Sequence, residues 1–142
     1  MFKNEQDRVN LLETLQQNMN EEFRATLQYI CHRILAKEAN PVLAESFKSA
    51  ALDEMSHILF FSDLITKYGG TPGLVEWKVD KSADIKEMLE RDVELEQEAE
   101  KRYASQLNRF TGYAEFCSII RSVLADEEGH EEEFNRYLRE AS

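Results

Sequence analysis

Apolar residues recur at alternating steps of three and four along four long segments of this chain. That period lays one stripe along an α-helix, and strand alternation is nowhere sustained, so the expected fold is all-α, a four-helix bundle. Helix A, about residues 5 to 37, carries Leu12, Leu15, Met19, Thr26 and Tyr29; helix B, about 41 to 68, carries Leu43, Phe47, Ala50, Phe61, Leu64 and Tyr68. Helix C, about 83 to 110, carries Ile85, Leu89, Asp92, Ala99, Tyr103 and Phe110. Helix D, about 113 to 140, carries Phe116, Ile120, Val123, Phe134 and Tyr137. Asn40 before Pro41 is a capping side chain with proline at the first helical position, and "YGGTPG" at 68 to 73 is a stop. Helix C is expected to begin after Ser82 with Asp84 in its first turn, and Gly112 separates it from helix D. Two short turns and one long crossing, Gly69 to about Lys81, predict two antiparallel hairpins packed together, with B parallel to C.

A chain of 142 residues fits one domain, expected to span 1–142. Its opening, "MFKNEQDRVN", has no apolar core of signal-peptide length, and no segment approaches the ~20 apolar residues of a membrane span, so the expected location is the cytoplasm. Cys31 and Cys117 form no Cys-x-x-Cys pair, which leaves no disulfide framework and no cysteine zinc or rubredoxin-type iron site. A formal net charge of −11 argues against a nucleic-acid partner, which wants a basic patch.

Six residues break the apolar stripes: Glu22 in helix A, Glu54 and His57 in B, Glu96 in C, Glu127 and His130 in D. Helical phase selects them, not abundance, since Glu21, Glu94, Glu98, Glu128 and Glu132 fall off the stripes and should face solvent. One Glu-x-x-His among 28 acids could be accidental; here it occurs twice, each copy preceded by a lone stripe Glu, 32 residues earlier in the first half and 31 in the second. In an antiparallel hairpin, residues at one height are equidistant from the turn. Glu22 paired with Glu54 and His57 implies a turn near residue 39, and Glu96 paired with Glu127 and His130 one near 112, where the breakers stand. All six then share one layer, roughly 24 Å from the turns at ~1.5 Å rise per residue.

Leu52, Ile58, Phe60 and Phe61 make "ALDEMSHILFF" at 51 to 61 look like buried helix, and isolated charges there would cost many kcal/mol. Two divalent cations would balance four carboxylates. Oxygen-dominated ligation with one imidazole per metal suits iron first, then manganese; zinc prefers more sulfur and nitrogen, and calcium oxygen alone. Glu54 and Glu127 are the expected bridges, Glu22 and Glu96 terminal ligands.

"NEEFRATLQY" at 20 to 29, "DEMSH" at 53 to 57, "ERDVELE" at 90 to 96 and "LADEEGH" at 124 to 130 together resemble the ligand segments of the ferritin-like di-iron carboxylate superfamily, and among its members most resemble bacterioferritin. The resemblance runs through nearly the whole chain. It implies a ferroxidase that oxidises Fe(II) with O2 or H2O2, two Fe ions per subunit, and iron storage and detoxification in a homo-oligomer, at least a dimer. It also implies that Met55, directly after Glu54, stands where the family binds haem; on the residues alone a methionine on a helix flank is more often a packing or subunit contact than a haem ligand. Tyr29, seven residues beyond Glu22, resembles a family tyrosine that gives up an electron, and is equally a core aromatic bonding a carboxylate. The family's cage uses a short fifth helix after helix D, where this sequence ends at "RYLREAS". Two rivals stand beside the ferroxidase: a rubrerythrin-like peroxidase drawing electrons from a separate donor, and a bundle whose metal site is purely structural.

Overall fold

The computed structural model describes residues 2–82 and 84–141. Its elements are α1 (Glu5–Ala36), α2 (Pro41–Lys67), α3 (Ile85–Arg109) and α4 (Ala114–Ala141), each within two residues of its expected end. The expected start of helix C at residue 83 lies outside the described residues.

Local chemistry sets these ends. Asn4 and Asn40 accept the backbone N–H groups of Asp7 and Leu43, and Pro41 occupies the first turn of α2. The α3 cap is Asp84 itself, accepting from Glu87 N at 3.1 Å, not Ser82 as expected; the Ser82 hydroxyl instead donates to Asp80 at 2.9 Å. After α2 the chain turns at Gly69, whose φ of +85° is a left-handed conformation that favours glycine.

Helix α1 packs along α2 and α3 along α4, and the hairpins meet through α1–α3 and α2–α4. The cross-links fix the register. Asn18 meets Gln106, Glu22 meets Tyr103 and Tyr29 meets Glu96, so α1 and α3 run antiparallel; α2 therefore runs parallel to α3, as expected. The crossing segment lies along α1, held by the Arg8 guanidinium on Tyr68 O (2.8 Å), Asn20 on Gly73 O (2.9 Å) and Arg24 over the Trp77 ring (5.5 Å).

Two apolar clusters fill the interior on either side of the middle layer. One gathers Leu11, Leu15, Phe61, Tyr103, Phe116 and Ile120; the other Tyr29, Leu43, Phe47, Leu89 and Phe134. Three stripe expectations shift. Leu11 rather than Leu12 enters the core, and Ile85 and Tyr137 are only partly buried. On α2, Leu52 (50% exposed) and Phe60 (44%) face outward although Phe61 is fully buried, so the apolar run is two-sided, with the inner side carrying Glu54 and His57.

Candidate metal centre

Between the two clusters all four helices deliver their polar residues to one layer. Glu22, Glu54, His57, Glu96, Glu127 and His130 are all buried, none more than 6% exposed. Ligand atoms of Glu22, Glu54, His57 and Glu127 lie within 4.8 Å of one another, and so do those of Glu54, Glu96, Glu127 and His130. Glu54 and Glu127 belong to both groups. Of the off-stripe acids, Glu94, Glu98, Glu128 and Glu132 are exposed as expected. Glu21 differs: it is half-buried, 3.6 Å from Arg24 and 3.9 Å from Arg102.

Both imidazoles turn Nδ1 inward. His57 Nδ1 donates to Glu22 at 3.0 Å, and His130 Nδ1 lies 3.1 Å from Glu54 and 3.4 Å from Glu96 and Glu127, without hydrogen-bond alignment to any of them. Their outer nitrogens are held crosswise between the halves: His57 Nε2 by Asp126 and His130 Nε2 by Asp53, each at 2.8 Å. A carboxylate on the outer nitrogen fixes the ring and leaves the inner nitrogen's lone pair for a cation. The expectations missed both aspartates, although each directly precedes its glutamate in "DEMSH" and "DEEGH".

The tyrosines repeat the crosswise pattern. Tyr29 donates its hydroxyl to Glu96, and Tyr103 donates to Glu22 at 2.8 Å. Each stands seven residues after the lone glutamate of its own helix and bonds that of the other half, a repeat visible in the sequence; Tyr103 was expected only as a core aromatic. Burial, then the neighbouring carboxylates, pushes both phenols well above the usual tyrosine range, so they remain donors. Met55, by contrast, is 47% exposed on the outer flank of α2.

In the absence of a cation, protons compensate this charge. Burial, then Glu22 and Glu127, raises Glu54 well above the carboxylate range; burial and Glu127 do the same to Glu96, and burial and Glu22 raise Glu127. Burial also opposes ionisation of Glu22, but its neighbours Glu54, His57 and Tyr103 hold it below its ordinary value. Burial works against imidazolium charge, yet Glu22 and Glu127 carry His57 up to about 9, and Glu127 and Glu96 carry His130 up to about 11.

Hydrogen bonds do not exhaust the donor atoms. Both oxygens of Glu54, one each of Glu96 and Glu127, and His130 Nδ1 are buried with no hydrogen-bond partner among the described residues. Orphaned atoms of that kind are rare in folded proteins and expensive unless something fills the space between them. Six donors in two overlapping sets, each three carboxylates and one imidazole, fit a pair of divalent iron or manganese ions.

The ferritin-like domain family matches residues 12–142. Among solved structures, a ferritin-like di-iron carboxylate protein from Bacillus anthracis str. Ames is 29% identical, with a TM-score of 0.81 over 97% of this chain and 99% of that one. A dodecameric thioferritin, the bacterioferritin-related protein of Bacteroides fragilis, is 25% identical, with a TM-score of 0.85 over 94% of this chain and 87% of that one. The di-iron bacterioferritin of Desulfovibrio desulfuricans, at 23% identity, shares the fold, with a TM-score of 0.89 over 97% of this chain and 84% of that one. No curated protein sequence matches the chain.

Proposed function

The chain belongs to the ferritin-like domain family, and from that premise we propose that it is a ferroxidase, oxidising Fe(II) with O2 or H2O2 at a centre of two iron ions. The observation that carries this reading is the set of buried, unpartnered donor atoms on Glu54, Glu96, Glu127 and His130. Glu54 and Glu127, common to both ligand groups, would be shared between the two ions; Glu22 and His57 would complete one half, Glu96 and His130 the other. Bound there, two Fe(II) supply one electron each to the oxidant.

The chain's own groups prepare that exchange. Asp126 and Asp53 keep the outer N–H of His57 and His130 engaged, so that the inner nitrogens give up their protons and present lone pairs. Tyr103 and Tyr29 each occupy one oxygen of Glu22 and Glu96, limiting how those carboxylates swing. Tyr29 also has in Glu96 an acceptor for the proton it would shed if it gave up an electron. The apolar clusters above and below exclude water from the layer.

Self-association belongs to the same proposal. The B. fragilis relative is dodecameric, and here the outer faces of α1 and α2 leave Ile30, Ile34, Leu52, Met55 and Leu59 between 45% and 63% exposed. Contact with further copies would take these apolar side chains out of water. A haem iron would reach Met55 only from this outer face, between copies. No helix among the described residues is long and apolar enough to cross a membrane, and the proposed location is the cytoplasm.

Aerobic Fe(II) addition tests the activity. Rapid consumption of many irons per subunit is expected. Two irons cycling with peroxide would instead indicate the peroxidase, and inert binding a structural site.

A further inference from the structure

Four residues before each lone glutamate and ten after the other, the two halves of the bundle carry the same strap in different chemistry. On the Glu22 side, Asn18 of α1 and Gln106 of α3 exchange amide hydrogen bonds, 2.7 Å in each direction. The equivalent positions on the Glu96 side are Asp92 of α3 and His32 of α1, with His32 Nδ1 2.6 Å from Asp92 Oδ2. Gln28 donates to the other Asp92 oxygen at 2.7 Å. His32 Nε2 meets Asp80 of the crossing segment at 2.9 Å, and the second Asp80 oxygen accepts from Ser82.

His32 is fully buried, with its ring packed on Phe47 of α2 at 5.6 Å. Both its nitrogens face carboxylate oxygens, Asp92 from α3 and Asp80 from the crossing segment, and that geometry is satisfied by a doubly protonated ring. Asp92 and Glu96 lie one turn apart on α3, and His32 and Tyr29 one turn apart on α1. Helix α1 therefore grips α3 at two successive turns, one of them at Glu96 itself.

We infer that His32 is a positioning residue for the Glu96/His130 half of the centre: through Asp92 it fixes the turn of α3 that aims Glu96, and through Asp80 it ties that aim to the crossing segment. The two halves are then held by unlike straps, one ionic and connected to a loop, the other a neutral amide pair. This rests on the six residues being metal ligands.

Co(II) titration under anaerobic conditions tests it, with the paramagnetically shifted ring N–H protons of His57 and His130 reporting each half separately. His32→Gln is expected to weaken the Glu96/His130 half by about ten-fold or more and leave the Glu22/His57 half within about two-fold. Adding Asp92→Asn recreates an amide pair like Asn18–Gln106 and should restore the weakened half to within about three-fold of wild type. If His32→Gln does not fold, Asp92→Asn alone takes its place, with the same expected weakening of the Glu96/His130 half by about ten-fold or more. Equal loss in both halves, no loss in either, or no recovery in the double variant would overturn the inference. A wild-type protein that binds no pair of Co(II) would overturn the ligand reading as well, which separates the two failures.

Discussion

Glu54 and Glu94 are the same side chain in the same sort of helix, and phase alone separates them. Glu54 sits on the inner face, fully buried with neither oxygen hydrogen-bonded, whereas Glu94 is exposed beside Arg91. Glu54→Ala should abolish paired-metal binding and Glu94→Ala should leave two metals per chain, as read by metal content after anaerobic loading. Protonation gives a second test at this scale. Glu54, Glu96, Glu127, His57 and His130 all bind their protons more tightly folded than unfolded. For such groups the stabilisation is complete below the unfolded pKa and is lost as pH rises through the folded value. The lowered Glu22 acts in the opposite sense and is outnumbered. The metal-free melting temperature should fall as pH rises from 7 toward the His57 value of about 9 and beyond, and saturating metal should flatten that slope in the same thermal scans.

At the scale of the element, helix ends and inner faces were legible because each depends on neighbours in sequence: a cap, a proline, a repeat of three and four. The six-residue layer was legible for the same reason, since Glu-x-x-His recurs and equidistance from the turns aligns the copies. His32 was not. Tyr29, not a glutamate, stands three residues before it, and its partners Asp80 and Asp92 are 48 and 60 residues away, so only packing reveals the strap. The Asn18–Gln106 pair was hidden likewise, because an amide reads as ordinary polar surface until its partner is known. The two-sided character of α2 was missed because Leu52 and Phe60 have the same apolarity as the buried Phe61. Phe47 shows how closely these elements depend on one another: it is fully buried, with Tyr29, His32 and Phe134 around it at ring separations of 6.5, 5.6 and 5.5 Å. Phe47→Ala should cost about 3–5 kcal/mol in urea unfolding, by lost burial plus the cavity left behind.

Across the whole molecule, two similar helical hairpins cross-brace one another. Asp53 and Asp126 hold each other's histidine neighbours, and Tyr29 and Tyr103 hold glutamates from the opposite half. Neither hairpin alone assembles either ligand group, because each group draws on both. That interdependence places the six-residue layer at the seam between hairpins, while Leu52, Met55 and Leu59 face outward from α2. The most direct measurement is anomalous diffraction at the iron edge from crystals loaded with Fe(II) under anaerobic conditions. The account predicts two peaks per chain between Glu54 and Glu127, one beside His57 Nδ1 and the other beside His130 Nδ1. Iron found only on surface carboxylates, with the buried layer empty, would contradict it.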